Sequence, residues 1–161
     1  MRLYIKQKVF SFRDKFNIYD ESGNVRYTAT GEILTLGKKL HVTDSTGDEV
    51  MFIRQRLLTL LPKYEIVLGG CDAVEISKKF TVFRHEYAID QWGISICGDF
   101  FAHEYEVIRN GKEIAHLSKA WFTWGDAYAI DIADPRDELM ALAAILVVDC
   151  CMEVQNNAKH S

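Results

Sequence analysis

Six segments of the chain repeat one pattern of apolar residues at intervals of 20 to 24 residues. In five of them, an apolar-rich stretch of four residues is followed, after a gap of three, by two apolar residues that flank a third position. The sixth copy is shorter. A period this short indicates a fold built from one repeated structural unit. The stretches begin at Val9, Ile33, Leu57, Phe80, Phe100 and Trp121, and the pairs are Phe16/Ile18, Leu40/Val42, Tyr64/Ile66, Tyr87/Ile89, Tyr105/Val107 and Tyr128/Ile130.

Each unit is long enough for two strands and two turns but too short for a strand–helix crossover. Residues alternate between two faces as they do in a β-strand, so that Ile53 and Leu57 share the face opposite Arg54 and Arg56. Between units, Asn110-Gly111 is typical of a two-residue hairpin turn. Six units predict about twelve antiparallel strands, and a sheet of that size tends to curl and to close into a barrel without open edges.

An apolar run over residues 139–148 follows a helix-start signal late in the chain. Asp134 suits the N-cap, and Pro135 suits the first helical position. A helix that is apolar on every side must be buried on every side. The run is also shorter than the roughly 18 to 20 residues that a bilayer span needs. We therefore predict one domain over residues 1–161, in which a helix at about 135–154 fills a closed antiparallel β-barrel.

Asp149 interrupts the apolar helix. Because an uncompensated buried charge is costly, we expect this carboxylate to lie near the mouth of the barrel. Strand-end amides or a basic side chain would hold it there, in a structural role. A catalytic carboxylate with a raised pKa is the alternative.

Composition gives bounds on partners and compartment. The net charge of −4 offers no general attraction to nucleic acid, so no nucleic-acid partner is expected. The first ten residues mix charged and apolar side chains, unlike a signal peptide, and we expect no transmembrane segment. The four cysteines form no C-x-x-C pair, which indicates free buried thiols in a reducing, cytoplasmic compartment.

Motifs of catalysis and of cofactor binding are missing from the sequence. It contains no phosphate-binding loop, no dinucleotide turn and no nucleophile elbow. His85 and His103 are each followed by glutamate, but the second histidine of an H-E-x-x-H zinc motif is missing in both cases. His41 and His116 stand among apolar neighbours and are interpreted as ordinary strand residues. We therefore expect no catalytic residue, no metal and no cofactor, and a protein that is not an enzyme.

Three stretches and the closing helix resemble the LURP-one-related proteins, which share a fold with the tubby C-terminal domain and the phospholipid scramblases. The stretches are residues 3–8 (LYIKQK), 60–66 (LLPKYEI) and 121–134 (WFTWGDAYAIDIAD). The resemblance covers essentially the whole chain. It implies a tubby C-terminal-like barrel of twelve strands around a central helix, and it does not imply an enzyme.

Function is accordingly expected to be binding. The leading hypothesis is a non-enzymatic binding or adaptor module of the LURP-one-related type, with an unidentified protein partner and no assigned molecular activity. The resemblance also implies a first alternative, because tubby domains bind phosphoinositides and scramblases act on membranes. In that case a basic outer face would bind phosphoinositide or other membrane head groups weakly. A further alternative is an enzyme with an unrecognised site. The candidate head-group residues are Lys6, Lys8, Arg54, Arg56 and Lys79.

Overall fold

The computed structural model describes residues 1–6, 15–32, 36–59, 63–80, 85–122 and 125–159. Along them the chain forms twelve strands followed by one α-helix. The strands are β1 (Arg2–Ile5), β2 (Lys15–Tyr19), β3 (Val25–Gly31), β4 (Lys39–Asp44), β5 (Glu49–Arg56), β6 (Lys63–Leu68), β7 (Val74–Phe80), β8 (His85–Ile89), β9 (Ile94–Asp99), β10 (Glu104–Arg109), β11 (Lys112–Phe122) and β12 (Gly125–Ile132). The helix is α1 (Glu138–Lys159), preceded by a 3-10 turn at Pro135–Asp137.

The strands form one closed antiparallel barrel in which each strand pairs with its neighbours in the sequence. The first and last strands close it, with Leu3 opposite Ile130. Inward side chains alternate with outward ones along each strand, as the repeat pattern predicts: in β6, for example, Tyr64 and Ile66 are fully buried. The predicted barrel of about twelve strands around an apolar C-terminal helix is confirmed.

Two apolar stretches of the repeat pattern extend beyond the strands. β3 ends at Gly31, so Leu36 lies in a connection, and β5 ends at Arg56, so Leu57 and Leu58 also lie outside it. The expectation that Leu57 continues the inner face of the strand is wrong. Leu58 adopts a φ of 61°, in the left-handed region, where no strand can continue.

The helix begins three residues later and ends five residues later than the predicted range of 135–154. Asp134 caps this segment by accepting a hydrogen bond from the backbone N–H of Arg136 at 2.9 Å. The first turn after the cap is a 3-10 turn, and α1 begins directly after it. Beyond residue 154 the sequence contains no glycine or proline to end the helix. The segment 141–148 is buried at every position, as a helix that is apolar all round requires.

A buried ion pair fixes the start of α1 to the barrel wall. The Arg26 guanidinium donates to the Glu138 carboxylate through Nε at 2.5 Å and through Nη2 at 2.7 Å. The Tyr27 hydroxyl donates to the same carboxylate at 3.0 Å. Burial, together with the Glu138 charge, raises the pKa of Tyr27 to about 12, so the hydroxyl keeps its proton as a donor. Glu138 is buried, whereas Arg26 is about half exposed. The two partners therefore do not contribute equally to the stability of the protein.

Replacing Arg26 with methionine is expected to destabilise the protein by about 3 kcal/mol, because it leaves the buried Glu138 charge without its cation. Adding Glu138→Gln should restore most of that loss. Urea unfolding at pH 7 measures both effects. The control is Arg136→Met, which removes an exposed partner of Asp134 and should change stability little. Equal losses for Arg26→Met and Arg136→Met would contradict a buried anchor.

Candidate functional site

Asp149 lies inside the barrel against β10. The Tyr105 hydroxyl donates to Asp149 Oδ1 at 3.3 Å and also lies 3.4 Å from the carbonyl oxygen of Ile145. The other carboxyl oxygen, Oδ2, is buried and has no hydrogen-bond partner among the described residues. The prediction that strand-end amides or a basic side chain hold Asp149 is therefore wrong, because its partner is a tyrosine hydroxyl. Burial raises the pKa of Asp149 to about 8, since the opposing effect of the Tyr105 hydrogen bond is smaller, and the group is mainly protonated at neutral pH.

His41 lies on strand β4, as predicted, but it does not stand alone, because its side chain lies between two carboxylates on the outer face of the strand. Its Nδ1 lies 2.6 Å from Glu49, and its Nε2 lies 2.7 Å from Glu32. Burial lowers the pKa of His41, but the two carboxylates outweigh it and leave the pKa raised. His116 also has an acidic neighbour, Glu104, at the longer distance of 3.5 Å. These partners come from other strands or connections, so the residues next to each histidine in the sequence give no sign of them.

The candidate head-group residues do not form one cluster in the part of the chain that the structure describes. Arg54 and Arg56 lie together on β5 and share Glu65, at 2.6 and 3.1 Å. The two other described candidates, Lys6 and Lys79, have different partners. Lys79 on β7 pairs with Asp90 at 3.0 Å. Lys6 follows β1, which is four strands from β5, and its Nζ lies 4.5 Å from the centroid of the Tyr19 ring. Lys8 lies outside the described residues.

A different surface combines apolar and basic side chains. Leu36, in the β3–β4 connection, is 87% exposed. In the β5–β6 connection, Leu58 is fully exposed and Leu57 is half exposed. We call this end of the barrel the leucine end. The Gln55 N–H donates to the Lys38 carbonyl at 2.7 Å, and the Lys38 N–H donates to the Gln55 side chain at 3.2 Å, so the β3–β4 connection is tied to the end of β5.

The leucine end and the opposite end differ in charge. Around the connections β1–β2, β3–β4 and β5–β6, the described residues outside strands or at strand termini include six basic side chains and one acidic one, Glu32. Around the β9–β10 connection the exposed Phe101 is flanked instead by Asp99 and Glu104, so the basic character belongs to the side of β1–β6. The six basic residues are Lys6, Lys15, Lys38, Lys39, Arg56 and Lys63.

The opposite end, where α1 starts, is acidic. Counted in the same way, its described turns, strand termini and the segment before α1 contain nine acidic residues and four basic ones. The net charge of −4 therefore conceals a barrel with one mainly acidic end and a basic, leucine-bearing region at the other. The acidic residues are Asp20, Glu21, Asp44, Asp48, Glu49, Asp72, Asp90, Asp134 and Asp137, and the basic ones are Arg2, Arg109, Lys112 and Arg136.

The cysteines differ in exposure. All four are free: Cys150 and Cys151 are buried in α1, Cys97 is partly buried, and Cys71 is exposed. The expectation of buried thiols is therefore wrong for Cys71, which lies in the glycine-rich turn before β7, where no core contact is available. Among the described residues, no group of three or more histidine, cysteine, aspartate or glutamate side chains is placed to hold a metal ion.

None of the helices in the described ranges has both the length and the apolar content to cross a bilayer. A closed barrel of sequential antiparallel strands with an apolar helix in its interior defines the class of helix-filled β-barrel proteins.

Comparison with known proteins gives the family. The family model described as LURP-one-related matches residues 1–149, and the chain belongs to that family. It is 36% identical over 149 residues to the uncharacterized protein YxjI of Bacillus subtilis (strain 168), covering 92% of each chain. It also resembles the X-ray structure of a protein from Arabidopsis thaliana, with a TM-score of 0.63 and 13% identity, over 92% of this chain and 90% of the other. At that identity the likeness shows a shared fold.

Proposed function

We propose that the protein is a non-catalytic binding module that docks on anionic membrane surfaces through its leucine end. The observation that carries the proposal is the exposure of Leu36, Leu57 and Leu58 on two adjoining connections within a basic rim. Apolar side chains that enter the acyl boundary, combined with cations that meet anionic head groups, are the two contributions that hold peripheral proteins on membranes.

The conformation at Leu58 supports this proposal. A non-glycine residue at a φ of 61° costs roughly 1–2 kcal/mol, and here it directs an apolar side chain into solvent. Leu57 packs against Gly37, because a Cβ atom at position 37 would lie 3.0 Å from Leu57 Cδ2. The two connections therefore form one surface. Strain that exposes an apolar group is characteristic of a contact site.

The acidic end does not oppose docking in this orientation. Apart from β11, the strands contain four to eight residues, and a strand of six residues, such as β4 or β6, spans roughly 20 Å at about 3.3 Å per residue. This exceeds the screening length of about 8 Å at physiological ionic strength. The acidic end therefore faces away from the membrane and orients the approach.

A cytoplasmic location accords with this proposal. All four cysteines are free, and one of them is exposed, which suits a reducing compartment. The anionic surface that such a protein meets is the cytoplasmic leaflet, where each basic side chain contributes about 1 kcal/mol.

We expect the protein to co-sediment with vesicles of phosphatidylcholine and phosphatidylglycerol, but not with phosphatidylcholine alone. The double variant Leu36→Ser/Leu58→Ser should weaken binding at least about tenfold, because two insertable side chains are lost. Its thermal stability should not change, since both leucines are exposed. The matched control is Val25→Ser, an exposed apolar residue at the acidic end, which should bind like the wild type.

Charge is tested by the triple variant Lys6→Gln/Lys15→Gln/Lys63→Gln at the leucine end. It should lose most of the salt-sensitive part of binding, whereas Lys112→Gln/Arg136→Gln at the acidic end should not. If the wild type binds no anionic vesicle, or if the leucine variant binds like the wild type, the membrane proposal fails. An adaptor for a protein partner then becomes the better explanation of the exposed leucines.

A further inference from the structure

Both ring nitrogens of His41 face carboxylate oxygens at hydrogen-bond distance. Nδ1 lies 2.6 Å from Glu49 Oε2, and Nε2 lies 2.7 Å from Glu32 Oε1. A neutral imidazole carries a proton on only one nitrogen, so its other nitrogen would present a lone pair to a carboxylate. Only the imidazolium donates to both oxygens. The geometry therefore selects the protonated ring.

The surroundings of His41 contain one further cation that acts on the same carboxylates. Lys39 Nζ lies 3.1 Å from Glu32 Oε2. On β5, the cross-strand neighbour of His41 is Phe52, whose ring centroid lies 4.6 Å from that of the imidazole. On β3 the cross-strand neighbour is the uncharged Thr30. Arg54, opposite Lys39, is paired with Glu65.

The charge of this group depends on one proton. With His41 protonated, His41 and Lys39 balance Glu32 and Glu49. With His41 neutral, the group carries one net negative charge. Glu32 follows β3 directly and begins the connection that carries Leu36, so this charge appears beside the leucine end.

We propose that His41 is a proton-dependent clamp that regulates the leucine end. The imidazolium holds Glu32 against β4. The neutral ring releases one of its two carboxylates and leaves uncompensated negative charge next to the docking surface. This inference rests on the proposed membrane function for its consequence, but the clamp itself is a property of the free protein.

The direction of the pH effect on membrane binding follows from the repulsion between this negative charge and anionic lipid. The two carboxylates raise the pKa of His41 above its ordinary value of 6.5, so the ring loses its proton at a pH above 6.5. Membrane binding should therefore strengthen as the pH falls through the pKa of His41. One elementary charge near an anionic membrane corresponds to about a fivefold change in affinity.

The first experiment measures binding to phosphatidylcholine/phosphatidylglycerol vesicles between pH 5.5 and 8.5. The wild type should lose about fivefold in affinity over this range. The variant His41→Arg keeps a permanent cation between the two carboxylates and should retain the acid-pH affinity throughout. The variant His41→Gln should show the weaker affinity throughout. The control His116→Gln removes the longer single contact to Glu104 and should follow the wild type. A wild-type pH response in His41→Gln would overturn the proposal.

The second experiment needs no membrane, so it separates failure of the clamp from failure of the proposed function. Nitrogen-15 NMR of the imidazole should show both ring nitrogens of His41 protonated at pH 6, with a midpoint above the ordinary value of 6.5. Amide exchange at Glu32, whose N–H donates to the Lys39 carbonyl at 3.2 Å, should lose protection between pH 6 and 8 in the wild type but not in His41→Arg. A neutral His41 at pH 6, or equal protection in both proteins, would refute the clamp whether or not vesicles bind.

Discussion

Replacing Leu142 with aspartate is expected to abolish folding. Leu142 is fully buried in the second turn of α1, and Leu146, one turn later, is almost fully buried. The substitution removes packed methyl groups, which costs about 2–5 kcal/mol, and also places a carboxyl group where no partner faces it. The sum approaches the whole stability of an ordinary domain, about 5–15 kcal/mol. The protein should accumulate in the insoluble fraction, and any soluble part should lack a cooperative thermal transition.

The half-buried Leu139 provides the matched control, because Leu139→Asp places the same group on α1 near its start, where water reaches it. It should remain soluble and unfold cooperatively. Leu146→Asp should behave like Leu142→Asp. Soluble, cooperatively unfolding protein from either interior variant would show that α1 does not fill the barrel.

The stability of the wild type should fall as the pH rises from about 4 to about 8, because of Asp149. Burial raises the pKa of this carboxyl from 3.8 to about 8 in the folded protein. Between these values the folded state holds a proton that the unfolded state has lost. The contribution of this group to stability is therefore complete below pH 3.8 and disappears as the pH approaches 8. The slope is about 1.4 kcal/mol per pH unit.

The variant Asp149→Asn removes this titration while keeping an oxygen that accepts from Tyr105. Urea unfolding at several pH values should show the variant close to the wild type near pH 4 and more stable than it by several kcal/mol at pH 8.5. Asp72→Asn, a change in an exposed turn, should follow the wild-type pH profile. A constant difference between Asp149→Asn and the wild type across the range would mean that Asp149 is not buried as a neutral acid.

The barrel and its helix were predictable because local sequence carries both signals. Alternating apolar residues such as Tyr64 and Ile66 show a half-buried strand, and the all-apolar segment 141–148 shows a helix that is enclosed. The helix start at Asp134 was readable for the same reason, since capping depends on residues two or three positions apart.

The site could not be predicted because it depends on which strands are neighbours. The carboxylates beside His41 come from positions eight and nine residues away, and only the strand register brings them to the ring. The strand order likewise separates Lys6 from Arg54. Leu57 was misassigned because an apolar residue just beyond a strand looks, in sequence, like one inside it. The left-handed φ of Leu58, where the strand cannot continue, has no signature in a leucine.

The order of elements along the chain has a consequence for biosynthesis. All twelve strands precede α1, yet the inner face of every strand is covered only when that helix is in place. A ribosome making this chain therefore releases a complete set of hairpins whose apolar faces have nothing to enclose. Such surfaces are prone to aggregate while they wait, and chaperones bind surfaces of this kind. Folding of the core is thus expected to wait until α1 has left the ribosome, when the pairing of β1 to β12 can close the wall around the helix.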